Sequence, residues 1–481
     1  MHNVRMGVRM HFLNRTEELK RLEAVSRMKR GAFVVLYGRR RIGKTRLLLE
    51  WASGTTSCYY VADQSTESVQ RLYFATAVNS VFPGFSDVEY PDWVSFFDRF
   101  VREAAAVSWK GVLIIDEFPY LVEKSPELPS ILQRIVDLKI KESGIKIAIS
   151  GSSQKMMQGI VLDANTPLYG RADELMRLRP LHCSYLKKIM PRFKPADIVR
   201  LYAFLGGVPK YWELACEKDF RSIDTIIDSL VLDPLAPLLH EPDRLLGLER
   251  PSAMALRPVF DVIGGGANRL SEIAGRIGQP ATSLSRPLAR LIEMGLIQKE
   301  LPFGESEKSS KKSVYEIADP FFRFWFTVVA PNRAYLMQSS AALRIKLLQK
   351  LKHGLISKAW EDLCRDAVVN LAQKKQKEKL PLPFGPAARF WAGTGPEWDV
   401  VSLSVNGEML LLGEAKWQEK EVTLSAVEKM KTELIKKGIP PIKGKKNYDI
   451  TYALFVPRKP RGFRFERSGI HVFDAEDIVS L

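Results

Sequence analysis

Residues Gly38 to Thr45 read Gly-Arg-Arg-Arg-Ile-Gly-Lys-Thr. A glycine, four residues and then Gly-Lys-Thr form a phosphate-binding loop when a strand precedes them and a helix follows. Both flanks fit. Phe33-Val34-Val35-Leu36-Tyr37 is an apolar run that predicts a strand, and Arg46-Leu47-Leu48-Leu49-Glu50-Trp51 predicts a helix. Gly38 and Gly43 allow the backbone N–H groups of the loop, through Arg39, Arg40, Arg41 and Ile42, to turn toward a polyphosphate. Lys44 can reach the β- and γ-phosphates, and Thr45 can hold Mg2+. A plain glycine turn would explain the bend but not the lysine, the hydroxyl and both flanks together.

A second run, Val112-Leu113-Ile114-Ile115-Asp116-Glu117, ends in two carboxylates. A buried parallel strand reads this way, with its carboxyl end opening on the ligand crevice. Asp116 is the candidate for the magnesium ion and Glu117 for polarising an attacking water. No Asn-Lys-x-Asp guanine-reading motif occurs, which favours ATP over GTP. Cys58–Ala62 predicts another strand. Ile145–Ile149 predicts a further strand, running into Ser152 and Ser153, where a hydroxyl could sense the γ-phosphate. Thr16 or Asn14 is placed to cap a first helix that ends near Lys29. Strands alternating with helices predict an α/β parallel sheet covered on both faces.

At 481 residues the chain has room for about three domains. Its four cysteines, Cys58, Cys183, Cys216 and Cys364, show neither metal-ligand spacing nor a disulfide framework. No apolar stretch approaches the roughly twenty residues needed to cross a bilayer. The first residues lack the hydrophobic core of a secretion signal. A cytoplasmic protein without a membrane partner is expected. The net charge of +17 points to a polyanionic partner, most simply DNA.

Through about residue 210 the chain resembles the archaeal and bacterial P-loop ATPase family of the AAA+ and STAND lineage. The stretches that carry the resemblance are Phe12–Leu19, the phosphate loop, Leu113–Pro119, Ser150–Ser153, Pro167–Arg171 and Gly206–Tyr211. The resemblance implies an ATPase core over residues 1–180 and a helical lid over 181–240. It implies that Arg15 lies near the adenine or ribose, and that Gly207 and Pro209 form a lid element with the proline against the adenine. It also implies that Arg171 answers the γ-phosphate, in cis or from a neighbouring subunit. From the residues alone, Arg171 is an arginine after a turn, and such side chains are usually just solvated. A homo-oligomer and a protein partner that stimulates ATP turnover are expected on the same ground.

Proline and glycine breaks at Asp233–Pro237 and Glu241–Asp243 predict a domain boundary. Residues 245–325 then predict a winged helix: helices over Arg257–Ile263, Asn268–Ile277 and Ala281–Glu293, followed by strands at Gly295–Glu300 and Val314–Ile317. Ser283, Ser285, Arg286 and Arg290 are candidates to contact DNA, and Lys308, Lys311 and Lys312 to contact phosphates. Packing on the core without touching DNA is an equal alternative.

In the last third, Glu397-Trp398-Asp399-Val400-Val401, a turn at Asn406-Gly407 and Met409–Lys416 predict a hairpin. Glu414 and Lys416, two apart, share one face. An acid followed by Glu-x-Lys resembles the PD-(D/E)xK nuclease fold, over about residues 340–481. That resemblance implies that Asp399 and Glu414 hold Mg2+ or Mn2+, that Lys416 orients or deprotonates water, and that Glu361 adds an acid from the first helix. No proline–aspartate pair stands before Asp399. Residues 331–481 carry 26 lysines and arginines against 17 acids. Lys374, Lys375, Lys377, Lys379, Lys443, Lys445 and Lys446 are candidate phosphate contacts, each run being by default a solvated face. The expectation is an ATP-hydrolysing protein coupled to a DNA-directed nuclease domain. The alternative is an ATP-dependent switch or scaffold that binds nucleic acid or protein without cutting.

Overall fold

The computed structural model describes residues 15–217, 222–248, 256–306, 312–372, 380–442 and 447–480. Asn14, Lys308, Lys311, the four lysines at 374–379 and the three at 443–446 lie outside them. The chain divides into two compact units, residues 1–181 with 208–210, and residues 182–207 with 211–481.

The first unit is built on five parallel strands: β1 (Ala32–Tyr37), β2 (Ser57–Val61), β3 (Val112–Asp116), β4 (Lys146–Gly151) and β5 (Glu174–Arg177), in the order β2-β3-β4-β1-β5. The central strands are apolar along their whole length because both faces are covered. In β1, Phe33 and Val35 enter one core with Ile147, Ile149 and a cluster of aromatic side chains that includes Phe74, Trp93 and Phe96. Ala32, Val34 and Leu36 enter the opposite core with Leu47, Leu48 and Trp51 from the helix after the phosphate loop. Alternate residues thus serve alternate faces. Strand β4 lies between β1 and β3, so the strand leading to the loop and the strand ending at Asp116 are not neighbours.

The first helix runs Thr16–Ser26 and has Arg15, not Thr16, at its N-cap, with no side-chain cap. The cap expected from Thr16 is therefore absent, because Thr16 is already the first helical residue. Strand β5 was not expected from the sequence. It is short, polar and at the sheet edge, where packing contributes little patterning.

The second unit opens with helices that include Cys183–Ile189 and Pro195–Leu205. Helices Arg257–Gly264, Leu270–Ile277 and Ala281–Glu293 follow, then an antiparallel pair, β6 (Ile297–Glu300) and β7 (Val314–Ile317). In the third of these helices Leu284, Leu288 and Leu291 are buried, at helical spacing. Ser283, Ser285 and Arg286 are exposed on it and Arg290 is half-buried, while Lys312 pairs with Glu305 at 2.8 Å. A 31-residue helix, Ala341–Leu371, leads to the last sheet. That sheet holds β8 (Ala388–Phe390), β9 (Trp398–Leu403), β10 (Met409–Ala415), β11 (Asp449–Phe455) and β12 (His471–Phe473), ordered β12-β11-β10-β9-β8. β8, β9 and β10 are antiparallel neighbours; β10, β11 and β12 run parallel. The helix Leu424–Lys436 makes the crossover that a parallel β10–β11 pair requires. The β9–β10 turn is fixed by Asn406, whose Oδ1 accepts from Ser404 Oγ at 2.7 Å and from the Glu408 N–H at 3.3 Å, and by Gly407 at φ 74°.

Candidate nucleotide site and carboxylate site

The phosphate loop joins β1 to the helix Lys44–Ser53. Gly38 sits at φ 151°, and a Cβ there would meet the Leu178 carbonyl oxygen at 2.6 Å. Only glycine permits this approach to the segment after β5. Gly43 has φ 95° and open space where a Cβ would stand, so it serves both the left-handed turn and access for a ligand. Arg41 is also left-handed, at φ 65°, a strained conformation for a residue with a side chain.

Lys44 is buried, and its ammonium donates to the carbonyls of Gly38 at 3.0 Å and Arg39 at 3.2 Å. Arg40 donates to the Tyr120 hydroxyl. Arg15 is also buried. It donates to the Ile42 carbonyl at 3.0 Å and the Arg179 carbonyl at 2.8 Å, and pairs with Glu18 at 3.0 Å. It thus braces the loop backbone through Ile42.

Asp116 is the hub of the site. Its Oδ2 accepts from Thr45 Oγ1 at 2.6 Å and from the Tyr59 hydroxyl at 2.7 Å, and its Oδ1 accepts from Ser150 Oγ. Burial, and then the Asp116 charge, raise the Tyr59 phenol well above its ordinary range, so it stays a proton donor. Glu117 is left-handed at φ 53°, and its carboxylate accepts from Ser152 N–H at 3.1 Å and Ser152 Oγ at 2.8 Å. Tyr59, Ser150 and Tyr120 escaped sequence reasoning. Their partners are distant in sequence, and only the sheet register, with Val61 opposite Asp116, brings Tyr59 near.

These groups fit a nucleotide with magnesium. Thr45 and Asp116 present adjacent oxygens where a divalent ion would be held, and the Lys44 ammonium lies on the loop itself. Magnesium with the triphosphate would supply charge neutralisation at the reacting phosphate. Arg171 pairs with Asp137 at 2.9 Å and donates to the Tyr169 carbonyl at 3.2 Å. Gly207 is buried in the second unit, whereas Pro209 opens the helix Pro209–Cys216 and belongs to the first.

Comparison with known proteins agrees with this geometry. Residues 12–214 match a family described as an ATPase domain predominantly from Archaea, and residues 325–432 match one described as archaeal and bacterial proteins of unknown function. The uncharacterized protein MJECL04 of Methanocaldococcus jannaschii is 30% identical over 475 residues, spanning 97% of this chain and 99% of that protein. The chain belongs to this family of ATPases. It is an ATP-hydrolysing enzyme with a P-loop α/β core and a separate C-terminal mixed-sheet domain. Among solved structures it is similar to the Walker-type ATPase of Pyrococcus abyssi (18% identity, TM-score 0.48, 66% of this chain and 97% of that one). It is also similar to the ORC2 protein of Aeropyrum pernix (12%, TM-score 0.41, 70% and 92%). Among the described residues of the ATPase, no helix is long and apolar enough to cross a membrane.

The ATPase's second unit carries the other candidate site. Val400 and Gly413 are register partners, which sets Asp399 and Glu414 side by side at the ends of β9 and β10. The Asp399 carboxylate accepts from the Ala415 N–H at 2.9 Å. Glu414 is buried and held by two ammonium groups, Lys416 at 2.6 Å and Lys437. Burial and the neighbouring Glu414 charge raise the Asp399 carboxyl. Glu361, from the long helix, is pushed from the usual 4.5 to about 7 by burial and then by the Asp399 charge. Burial opposes the Lys416 charge, but its bond to Glu414 and the surrounding acids outweigh this and raise its proton affinity. The donors suit a hard divalent cation in type. Among the described residues, however, no three acidic, histidine or cysteine side chains form a preformed metal cluster. Lys437, which sequence reasoning missed, pairs with Glu414 and offsets its charge.

The raised Glu361 has a direction. Between about pH 4.5 and 7 the folded chain keeps a proton that the unfolded chain has lost, so stability falls as pH rises through that window. Glu361→Gln should therefore raise the unfolding free energy at about pH 8 by on the order of 2 kcal/mol, and leave it unchanged below about pH 4.5. A difference that does not vary with pH would count against the shift.

Proposed function

We propose that ATP hydrolysis in the first unit serves a DNA-directed, nuclease-like domain formed by about residues 340–481. The observation that carries this reading is the placement of Asp399, Glu414 and Lys416 together at the ends of two adjacent strands, with Glu361 facing them from the preceding helix. Asp399 and Glu361 would hold a divalent ion, with Glu414 joining once it exchanges its lysine partners. The ion would supply Lewis acidity at a phosphodiester. Lys416, more than half exposed, is placed to orient a water or a phosphate oxygen. The hairpin β6–β7 and its three preceding helices have the element order of a winged helix, which supports a duplex as the partner. The domain boundaries proposed from the sequence, 1–180, 181–240, 245–325 and 340–481, go with this reading, as do magnesium at Thr45 and Asp116 and the phosphate-sensing role of Arg171. Arg171 would then leave Asp137 when nucleotide binds.

A second reading is favoured by the lysine clamp. Lys416 and Lys437 already compensate Glu414, so the domain could bind a phosphate backbone or a protein without cutting it. Incubating the full chain with supercoiled DNA and manganese separates the two. Cleavage activity should appear in the parent and fall at least about 100-fold in Asp399→Asn. Manganese should also raise the parent's unfolding midpoint and not that of Asp399→Asn. DNA binding without either effect would select the second reading.

A further inference from the structure

We infer that Arg365 is a positioning residue shared between the β6–β7 hairpin and the C-terminal carboxylate site, so that the hairpin sets the charge and backbone placement at Asp399. This rests on the nuclease-like reading for its consequence, but the coupling stands on geometry alone. Arg365 is buried on the helix Ala341–Leu371. One of its terminal nitrogens donates to the Asp399 backbone carbonyl at 3.1 Å and lies 4.0 Å from a Glu361 carboxylate oxygen. The other bonds Asp362 at 2.6 Å and lies 3.9 Å from Glu300 on β6. A planar fork of fixed geometry cannot move toward one set of partners without leaving the other.

The hairpin is tied to the same helix a second time. Glu316 on β7 pairs with Lys358 at 2.7 Å, and Lys358 lies 3.4 Å from Asp362. Arg389 on β8 joins the two strands, reaching Glu300 at 2.9 Å and Glu316 at 3.4 Å. Four cations, with Arg323 on Asp362 at 2.8 Å, face four carboxylates, Glu361 included. In a buried network so balanced, neutralising one member leaves another charge uncompensated. Loss of Glu300 therefore shifts Arg365 and its field toward Glu361 and Asp399, although Glu300 does not touch that site.

A mutant cycle on the full chain tests this. Unfolding is measured without metal at about pH 8.5, well above the ordinary carboxylate range, for Glu300→Gln, Glu361→Gln and the pair. Sharing one guanidinium predicts that the double variant is less stable than the sum of the two single effects, whatever the sign of each, because each change alone leaves Arg365 the other carboxylate. The excess should be about two- to tenfold in the unfolding constant and should vanish in an Arg365→Gln background. Additive effects, or an excess that survives without Arg365, would overturn the inference. A second arm reads manganese affinity from the shift in unfolding midpoint. Glu300→Gln should weaken it roughly three- to tenfold, because a cation moves closer and an anion is lost, while Glu408→Gln, exposed in the β9–β10 turn, should not. Manganese binding unaffected by Glu300→Gln overturns the inference and spares the metal reading. No manganese effect in the parent sinks the metal reading, and the cycle then decides the coupling by itself.

Discussion

Lys44→Ala should lose ATP binding, with the dissociation constant rising roughly 10²- to 10³-fold, the usual cost of deleting one partner of a buried charge pair. The ammonium is buried and donates to the loop carbonyls of Gly38 and Arg39, which holds its charge on the loop itself. Glu117→Gln should behave differently. Its carboxylate is held by Ser152 N–H and Oγ, and an amide keeps an acceptor oxygen for them. Binding should survive while turnover falls about 10²- to 10⁴-fold, the range for loss of a general base. Titration with a fluorescent ATP analogue and single-turnover hydrolysis distinguish the two. A Lys44→Ala protein that binds as tightly as the parent would mean that the loop is not the nucleotide site.

Arg344→Ala should be the most damaging change to stability in the second unit. Arg344 is buried and makes a bidentate pair with Asp228, at 2.6 and 2.9 Å, and a further bond to Asp233 at 2.6 Å. The bond to Asp228 and the two acids raise the guanidinium's proton affinity against the effect of burial. Removing it leaves Asp228 buried without a counter-charge, at a cost of about 3–5 kcal/mol. For a unit of this size that lowers the midpoint by roughly 5–8 °C. Arg344→Lys keeps the charge but not the fork and should recover only part of the loss. Calorimetry of the full chain, with ATP binding as the control for a folded first unit, reads the effect. A midpoint within about 2 °C of the parent would show that the triad contributes nothing measurable.

Much of the ATPase core could be read along the chain because its signals are local. The loop glycines, Lys44, Thr45 and the apolar run ending at Asp116 are contiguous, and β1, β2, β3 and β4 lie within a residue or so of the expected runs. The β9–β10 hairpin was readable for the same reason: Asn406-Gly407 is a local turn signal. What failed was either weakly patterned or non-local. Strand β5 has only Met176 buried among Glu174, Leu175 and Arg177, so it carries no apolar run. The helix that carries Glu361 begins well before it, at Ala341. Two of its early basic residues, Arg344 and Lys352, find their acids, Asp228 and Asp224, only in the fold.

The sequence by itself determined the chemistry of the first unit. A phosphate loop needs backbone freedom at Gly38 and Gly43 and fixed charges within a few residues, and all of these are short-range properties of the chain. Only the tertiary structure decided how the charges are shared. Tyr59 and Ser150 reach Asp116 because parallel strands lie in one register, and Arg15 reaches the Ile42 and Arg179 carbonyls across the fold. Lys437 reaches Glu414 from the end of a crossover helix, and Arg365 stands between Glu300 and Asp399. A side chain's charge is written in the sequence. The partner that neutralises or orients it is set by distances of a few ångströms between segments far apart in the chain, and Coulomb energy at that range changes steeply with burial.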